Sequence, residues 1–422
     1  MHFQLVLAID DSMQTSKLKA WDQFLKMGLP HNKTEVYRYI HLRRLFGQKY
    51  IPSAPSTLKP EDVAPFILPE CQRSALVFVN GHFQPHLSRL ESIPKRLVVT
   101  QLHDAIATYG TFLNNQWNKS LQEETDAFAA LNAALHRDGA FLYLPPNTVV
   151  ETPIQLVNVV DTAETPMLLL PRIHLFVGAN SEVTLVSSTD HFSGSAHCLS
   201  LVTEMSIEEN AHVKYMQTAT HNGTDIWHFD ALRASLKQNS TLRTINMTEG
   251  SATTRYDYRV ALIGQNAEAL LNGLSMINEK REAHTHVLVD HQAPNCRSMQ
   301  LFKTILNGFA RSSFEGKILV RQAAQKTDAF QRNNNLLLSD NAHADSKPNL
   351  EIFADDVKAS HGATIGQLDA DQLFYMRTRG FPEAMAQNLM VYSFCKDVVD
   401  QIPLPSLLNH MTTRAKNCLN EK

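Results

Sequence analysis

Long apolar runs are missing from this chain of 422 residues. None approaches the roughly 20 consecutive apolar residues that a helix needs to cross a bilayer. The apolar start at 3–9 has no Lys or Arg before it, and Asp10 and Asp11 follow at once, so we expect no signal peptide. Hydrophobic residues at 43% and charged residues at 19% predict an ordinary globular protein with a large core.

Cysteine is scarce, and neither sign of charge is in excess. The five cysteines are odd in number, lie far apart and include no Cys-x-x-Cys pair. This pattern argues against a disulfide framework and against a self-contained metal site, and it predicts reduced thiols in a cytoplasmic protein. The net charge of −3 gives no reason to expect a nucleic acid or an anionic membrane as a partner.

Several enzyme signatures are also absent. Gly316-Lys317 lacks the earlier glycine of a phosphate-binding loop, and Ile318 stands where Ser or Thr would coordinate magnesium. No Gly-x-Ser-x-Gly elbow, His-Glu-x-x-His pair or dinucleotide fingerprint occurs. We therefore expect no ATP hydrolysis by a Walker motif in this chain.

An internal repeat of asparagines is the strongest structural signal. It consists of Asn180, Asn210, Asn239, Asn266 and Asn295, each followed by a small residue and then by alternating inward and outward positions. Units this short cannot bury a face alone, whereas stacked coils share one core, as in a solenoid. Asn suits the turn because it tolerates the left-handed backbone region. We predict a right-handed parallel β-helix, with a β-sandwich as the alternative.

The pattern divides the chain into a mainly helical N-terminal domain, a β-helix core and a C-terminal helical region, at 1–140, 141–370 and 371–422 respectively. In the first domain we predict a short strand at 76–80 and helices at 11–27, 33–46 and 123–137.

The C-terminal region is predicted to contain two main helices. The first, at 371–379, ends at Gly380, and the second begins near Pro382 and runs to about residue 401. The second helix carries two apolar stripes, one through Leu389 and one through Phe394, which is more than a single core-facing side needs. It is either wedged between the β-helix and a neighbouring element or a docking face for another protein.

His361 has the clearest potential for chemistry. It lies between Ser360 and Gly362, where the backbone can come close to a partner. Neutral imidazole is a borderline ligand that suits iron. Taken alone, a single histidine is more often a hydrogen-bonded structural residue, so the residues around it decide between the two interpretations.

Other polar groups are interpreted as structural: His284, His286 and His291 on a strand face, and Lys326, Thr327 and Asp328 in a polar ladder or at a subunit interface. Asp355 and Asp356 are adjacent, so in an extended segment they face opposite ways and cannot flank one glycosidic bond. Because parallel β-helices can host sugar-polymer cleavage, a hydrolase or lyase acting on sugar polymers is the alternative function.

The segment Lys358-Ala359-Ser360-His361-Gly362 stands in a run that is too polar for plain core and too particular for a random loop. Further stretches that carry the same resemblance lie at 289–296, 311–317, 325–329, 333–338, 347–352 and 366–369. Together they resemble the SufB/SufD family, the scaffold subunits of the Suf machinery that builds iron–sulphur clusters. The resemblance covers nearly the whole chain, whose length and helical N-terminal domain are more similar to SufD than to the longer SufB.

The resemblance implies a parallel β-helix between helical ends and a scaffold role without enzyme activity. It implies a hetero-oligomer with a SufB-like subunit and a SufC-like ABC-type ATPase, or a homodimer for the isolated chain. His361 would be a ligand of a transient iron–sulphur cluster shared with the partner at their interface. A flavin within the complex is left open, since no residue pattern of this chain indicates one.

The resemblance also implies that the C-terminal helical region docks the ATPase, through residues including Leu373, Phe374, Met376, Arg379, Met385, Leu389, Met390, Tyr392 and Phe394. One departure concerns the cluster site, where the family commonly has Cys and this chain has Ala359. Alanine cannot supply a thiolate. Either His361 suffices together with cysteines of a partner, or the chain is a purely structural subunit.

Overall fold

The computed structural model describes residues 14–31, 33–53, 57–162, 165–194, 196–220 and 225–419. Strands make up 45% of the chain and helices 24%, so the protein is mainly β, as predicted. The α-helices in the described residues are α1 (Gln14–Met27), α2 (Arg43–Gly47), α3 (Pro60–Val63), α4 (Leu102–Glu123), α5 (Ala127–Leu135), α6 (Ala370–Thr378), α7 (Glu383–Val399) and α8 (Pro405–Lys416).

The strands before the first long coil are mostly short: β1 (Ile51–Pro52), β2 (Ala75–Val79), β3 (His82–Phe83), β4 (Val98–Gln101), β5 (Gly139–Leu144), β6 (Ile154–Asp161), β7 (Met167–Leu169) and β8 (Arg172–Val177). The later strands are longer: β9 (Glu182–Ser193), β10 (Ala196–Ile207), β11 (His212–Thr220), β12 (Asp225–Leu236), β13 (Thr241–Gly250), β14 (Thr253–Leu262), β15 (Glu268–Ile277), β16 (Glu282–His291), β17 (Arg297–Leu306), β18 (Arg311–Val320), β19 (Thr327–Leu337), β20 (His343–Ile352) and β21 (Val357–Gly366).

Successive long strands alternate between two sheets. The first sheet runs from β4 and β5 through β8 and the even-numbered strands to β20, and the second runs from β3, β2 and β6 through the odd-numbered strands to β21. Strands two apart along the chain pair in parallel, so each coil adds one strand to each sheet. The prediction of a parallel β-helix between helical ends is confirmed, with about seven turns.

The asparagine turns have the backbone that the repeat predicts. All five repeat residues have a φ between 56° and 59°, the left-handed region that Asn tolerates better than most residues. Their side chains also form a ladder, in which each amide nitrogen donates to the Oδ1 of the Asn one coil earlier at 3.0–3.1 Å, from Asn266 back to Asn147. Lys326, with a φ of 60°, takes the same turn position one coil after Asn295.

The interior of the β-helix follows from period-two alternation. Leu242, Leu271 and Val287 point inward and are fully buried in one continuous apolar cluster. Burying each such side chain stabilises the fold by about 1.5–3 kcal/mol. Neighbouring coils therefore share a core that no single coil could form.

The N-terminal region covers the early coils of the first sheet. The ring of Phe128 on α5 stacks on Phe229 of β12 with centroids 4.0 Å apart. The same region also supplies strands, because β2 pairs with β6 and β4 pairs with β5. It therefore extends both sheets as well as covering them, while the domain boundaries at 140 and 370 stay predictions.

The helix predicted at 33–46 is wrong. The structure has a 3-10 turn at Glu35–Tyr37 and the short helix α2 instead. Tyr37 is buried, its hydroxyl donates to Asp126 Oδ2 at 2.6 Å, and the guanidinium of Arg255 lies 4.3 Å from its ring centroid. These tertiary contacts fix the segment in place of local helix propensity. Residues 11–13 of the helix predicted at 11–27 lie outside the described residues.

The helix predicted at 123–137 is interrupted. Helix α4 ends at Glu123 and α5 begins at Ala127. The break lies at Asp126, whose Oδ1 accepts from the backbone N–H groups of Phe128 and Ala129. This is an N-cap, and it starts a new helix because the cap residue itself has an extended backbone.

Helices α7 and α8 pack on the outer face of the second sheet. Helix α6 and Gly380, which has a φ of 90°, lie close to where the sequence predicts them. The prediction for the second helix needs a correction, because the face of α7 that packs on the sheet is Val391, Cys395, Val398 and Val399. The predicted stripes are Met385, Leu389 and Tyr392 on one side and Met390, Phe394 and Val398 on the other. Of these six residues, only Val398 is among the four of the buried face.

Candidate functional site

The β-helix ends at β20 and β21, the last strands of the two sheets. In the described part of the chain, each of them has a neighbouring strand on one side only. Seven of the ten residues of β21 are exposed, and the exposed apolar side chains of Ile352, Phe353 and Ile365 lie on or beside the two strands. An open strand edge with apolar neighbours is a template for pairing with another chain.

His361 lies near the middle of β21 and is exposed. Its register partner on β19 is Gln331, whose own partner on β17 is Gln300. Residues in register on parallel strands face the same side of the sheet, and both glutamines are fully buried inside the β-helix. His361 therefore continues an interior column of side chains at the coil where that interior opens to solvent.

The residues beside His361 divide between the two faces of β21. Ala359 lies two positions earlier, on the same side as His361, and is in register with the buried Ala329. Gly362 faces the other side, where a Cβ atom would meet nothing within 4 Å. The face of β21 opposite to His361 is thus open at this position.

The histidine cluster is held by hydrogen bonds, in agreement with its structural interpretation. His284 Nδ1 lies 2.7 Å from Ser313 Oγ, and His286 Nδ1 lies 2.9 Å from Asp257 Oδ2. His291 Nε2 lies 2.9 Å from Ser298 Oγ, and burial lowers the pKa of His291 to about 4. A histidine that stays neutral and bonded inside the β-helix is a packing residue.

The polar residues before β21 lie at the start of β19 or in the bend that precedes β21. Thr327 is buried, and its hydroxyl donates to the carbonyl of Ala324 at 2.8 Å. Asp355 and Asp356 lie in the bend between β20 and β21 and not in an extended segment. The backbone carbonyl of Asp356 joins this bend to the preceding coil by accepting from Lys326 N–H at 2.6 Å.

The predicted docking residues fall into two groups. Phe374, Met385 and Arg379 are exposed, the first two with 67% and 51% of their surface accessible. The half-buried group consists of Leu373, Met376, Leu389, Met390, Tyr392 and Phe394. In this group Tyr392 and Phe394 already pack on the protein's own core.

Sequence reasoning missed two aromatic residues of this surface, Tyr375 and Phe381. Both are exposed, Tyr375 at 57%. Helix α6 has no buried residue at all. The adjacent pair Phe374-Tyr375 carried the signal, because neighbouring residues on a helix point to different sides and one core cannot cover both.

The thiols of the chain are poor metal ligands as they stand. Burial raises the pKa of all five cysteines, and the thiolate is the form that binds metal. The described residues contain no group of three or more His, Cys, Asp or Glu side chains arranged to hold a metal ion. A metal ion bound at His361 would therefore need its other ligands from outside the described residues.

A cavity of about 380 Å³ lies between α4 and the outer face of the first sheet. Three of its carboxylates pair with arginines: Glu124 with Arg233, Glu204 with Arg172 and Asp290 with Arg321. A guanidinium partner favours the ionised form of a carboxyl group and so opposes a role as general acid. The cavity does not favour the cleavage of sugar polymers, which needs a carboxylic acid and a free carboxylate.

Known families account for both halves of the chain. Residues 159–394 match the SufBD core domain of the SUF system of FeS cluster assembly, and residues 5–156 match the N-terminal region of SufBD proteins. The chain belongs to the SufBD family.

Two bacterial relatives of this SufBD protein are similar over nearly its full length. An iron–sulphur cluster assembly SufBD family protein of Synechocystis is 31% identical over 412 residues, covering 96% of this chain and 90% of the relative. The iron–sulphur cluster assembly protein SufD of Escherichia coli is 29% identical over 387 residues, covering 90% of this chain and 87% of the relative. The chain is thus a SufD homologue in a family of assembly scaffolds.

A third relative, the chloroplastic protein ABCI7 of Arabidopsis thaliana, is 29% identical over 309 residues, covering 70% of this SufBD protein and 63% of the relative. This relative is a chloroplast protein. Among the described residues, the helices are all too short or too polar to span a membrane.

Proposed function

We propose that this SufBD protein is the SufD-like scaffold subunit of an ATP-driven complex that assembles and transfers iron–sulphur clusters in the cytoplasm. The observation that carries the proposal is the open end of the β-helix, where an exposed imidazole lies on an unpaired strand edge. The chain itself would not be an enzyme, and ATP would be hydrolysed by a SufC-like ABC-type partner.

A SufB-like subunit is the partner proposed for the β20–β21 edge. Unpaired backbone groups and exposed side chains such as Ile365 suit β-pairing with a second chain. His361 would bind a transient cluster there, and the thiolates would come from the partner, since this chain has Ala359 beside His361. In the absence of that partner, the same edge is free to pair with a second copy as a homodimer.

The SufC-like ATPase is proposed to dock on α6 and the start of α7. This surface presents Phe374, Tyr375 and Met385 to solvent. Helix α7 is tied to β17, because Lys303 Nζ donates to Asp397 Oδ2 and to the carbonyl of Phe394, each at 2.7 Å. Strand β17 pairs with β19, and β19 with β21.

That chain of contacts offers a physical route from ATP to the cluster site. If the ATP-bound partner binds one arrangement of the C-terminal helices more tightly, the population shifts toward that arrangement. Because α7 is fixed to β17, a displacement of the helix would move β17, which lies two strands from β21 and His361. A flavin would belong to the assembled complex, and the proposal gives this chain no part in holding it.

Co-purification from the native cell tests the complex. We expect the full chain to bring down the SufB-like and ATPase proteins, and a chain truncated after Asp369 to lose the ATPase, since α6 begins at Ala370. A chain that is recovered alone, from an extract containing both proteins, would overturn the proposal.

A matched pair of histidine variants tests the ligand role. His361→Ala should lower cluster formation by the reconstituted complex to background while the complex stays intact. His343→Ala is the control, because His343 is also an exposed histidine on a terminal strand. If His361→Ala gives the same undiminished cluster yield as His343→Ala, a purely structural subunit is the better interpretation.

A further inference from the structure

The outer face of the second sheet carries a ladder of alternating charge that ends at the open edge. Its members are in register on neighbouring strands from β15 to β21: Glu268, Arg297, Asp328 and Lys358. Arg297 Nη1 lies 3.3 Å from Glu268 Oε1, and Arg297 Nε lies 3.8 Å from Asp328 Oδ2. Opposite charges directly across a pair of strands stabilise a sheet. The ladder thus alternates in sign up to the last strand, where it ends with an ammonium group.

The first sheet carries a similar ladder on its outer face. Its members, in register from β14 to β20, are Asp257, His286, Glu315 and Lys347. His286 Nδ1 lies 2.9 Å from Asp257 Oδ2, and Lys347 Nζ donates to Glu315 Oε1 at 3.1 Å. Lys347 also donates to a carboxylate oxygen of Glu35 in the N-terminal region. The last ammonium of this sheet therefore has two carboxylate partners within its own chain.

Lys358, at the end of the other ladder, is not matched in this way. It is exposed, and it forms no ion pair within the part of the chain that the structure describes. Among the described strands, only β19 pairs with β21. Because neighbouring strands lie about 4.8 Å apart, the next position of the ladder belongs to a strand of another molecule. An ammonium group covered by such a strand loses hydration, and it needs an ionic partner to replace that hydration.

The backbone donors make β21 the better of the two open edges for a further strand. The N–H groups of His343 and Phe353 both donate to carbonyls on the β18 side of β20. Because N–H groups alternate between the two edges of a strand, the nitrogen of Pro348 faces the open edge of β20, and it carries no hydrogen. Strand β21 contains no proline, so each residue on its open edge keeps its donor.

We propose that the strand which pairs with β21 carries an aspartate or a glutamate opposite Lys358, so that the partner continues the alternating ladder across the interface. The inference rests on the proposed function, since this strand would belong to the SufB-like subunit, and it adds which chemical group that subunit places there. The carboxylate also sets the register of the two strands, because a shift by one residue would turn it to the other face. A basic residue at that position would oppose pairing and so exclude partners of the wrong charge.

Charge changes at Lys358 test the inference on full-length chains. Calorimetric titration with the purified SufB-like subunit measures the affinity at about 0.1 M salt, where exposed charges are only partly screened. Lys358→Gln should weaken binding about threefold, in the range for one cross-strand pair. Lys358→Glu should weaken it by more than about tenfold, because two carboxylates then face each other. Since Lys358 is exposed on the last strand, both variants should melt like the wild type.

Lys280→Gln and Lys280→Glu are the matched controls. Lys280 is an exposed lysine in the turn between β15 and β16, and both changes there should leave the affinity unchanged. The acidic partner is then identified by charge exchange. Changing one aspartate or glutamate on an edge strand of the SufB-like subunit to lysine should restore binding to Lys358→Glu and weaken binding to the wild type. Wild-type affinity in Lys358→Glu, or no restoring change among those acidic residues, would overturn the inference.

These results are separable from those of the proposed function. If Ile365→Lys weakens binding of the SufB-like subunit while Lys358→Glu binds like the wild type, the charge inference fails and the proposed interface stands. If the wild type does not bind the subunit at all, both fail. Self-association of the wild type that Lys358→Glu abolishes, in the absence of the subunit, would place the acid on a second copy of this chain and overturn the choice of partner.

Discussion

Strands β10 and β21 belong to the same repeat and yet have opposite surroundings. Ten of the twelve residues of β10 are buried, because the N-terminal region covers its outer face and other strands pair with both its edges. None of the ten residues of β21 is buried. The repeat therefore determines the path of the backbone, whereas the covering elements determine which coils can interact with other molecules.

The two ends also differ in how their polar groups are satisfied. At the covered end, Asp257 is surrounded by guanidinium and imidazole donors from Arg233, Arg255 and His286. At the open end, Gln331 keeps an acceptor without a donor in the described residues, and His361 is exposed. Saturated polar groups fix one region to another, and unsaturated ones at a surface are available for a ligand or partner.

The largest effect on stability is expected from a variant that removes the buried ion pairs of Asp257 at the covered end. Burial alone would raise the pKa of Asp257, but the charges of Arg233 and Arg255 and the hydrogen bond to His286 hold it well below its usual range. Asp257→Ala leaves those buried cations without their shared partner and should lower the free energy of unfolding by about 3–5 kcal/mol. The midpoint of urea unfolding measures this.

The open end supplies the control for that variant. Asp355→Ala changes an exposed carboxylate in the turn before β21 and should alter stability by no more than about 0.5 kcal/mol. Equal midpoints for the two variants would mean that the ion network contributes nothing to the covered end.

A charge placed on the open edge should act on binding and not on folding. Ile365→Lys puts an ammonium on the exposed side of β21, where the partner would bury it without a counter-charge, at a cost of about 2–3 kcal/mol of binding free energy. Titration of the SufB-like subunit measures the affinity. Val149→Lys, at an exposed position near the covered end, should bind like the wild type, and equal weakening by both variants would place the interface elsewhere.

The exposed aromatic residues of α6 should matter only to the ATPase. Phe374→Ala removes a ring that contacts little of its own chain and should weaken ATPase binding by about 1–2 kcal/mol, the range for an interface aromatic, with the melting temperature unchanged. Phe192→Ala, an exposed phenylalanine at the end of β9, is the matched control. Wild-type affinity in Phe374→Ala would remove α6 from the docking surface.

Much of the fold could be predicted because the asparagine turns are local. Each repeat residue imposes its own left-handed turn, so the spacing of the repeat along the sequence sets the number of residues in each coil. The segment around Tyr37 could not be predicted in the same way. Its conformation depends on Asp126 and Arg255, which lie far away along the chain, and a pattern within one segment contains no information about such partners.

The candidate site shows the same division. His361 stood out from its neighbours in the chain, and strand alternation would place Ala359 on its side of β21. That His361 continues the interior column of Gln331 and Gln300 needed the register of β19 with β21 and that of β17 with β19. Both are properties of the folded coils, and nothing in a single sequence fixes them.

The smallest effect is expected where α8 attaches to the second sheet. Glu249 on β13 accepts from the imidazole of His410 and from Arg414 Nε. The hydrogen bond and charge of Glu249 raise the pKa of His410. Burial alone would raise the pKa of Glu249, but the contacts with His410 and Arg414 lower it. A raised histidine pKa stabilises the fold fully below the ordinary value near 6.5, and this stabilisation is lost as the pH rises through the raised value.

The lowered pKa of Glu249 acts at the other limit, because its stabilisation is present above about pH 4.5 and is lost as the pH falls. The contact should therefore contribute most between about pH 4.5 and 6.5, and by less than about 1 kcal/mol, since the side chain of His410 is half exposed. Thermal unfolding of the wild type and of His410→Gln should differ more at pH 5.5 than at pH 8.5, with Arg414 retained in both. The same difference at both values would show that the contribution of the His410–Glu249 contact does not depend on the charge of the histidine.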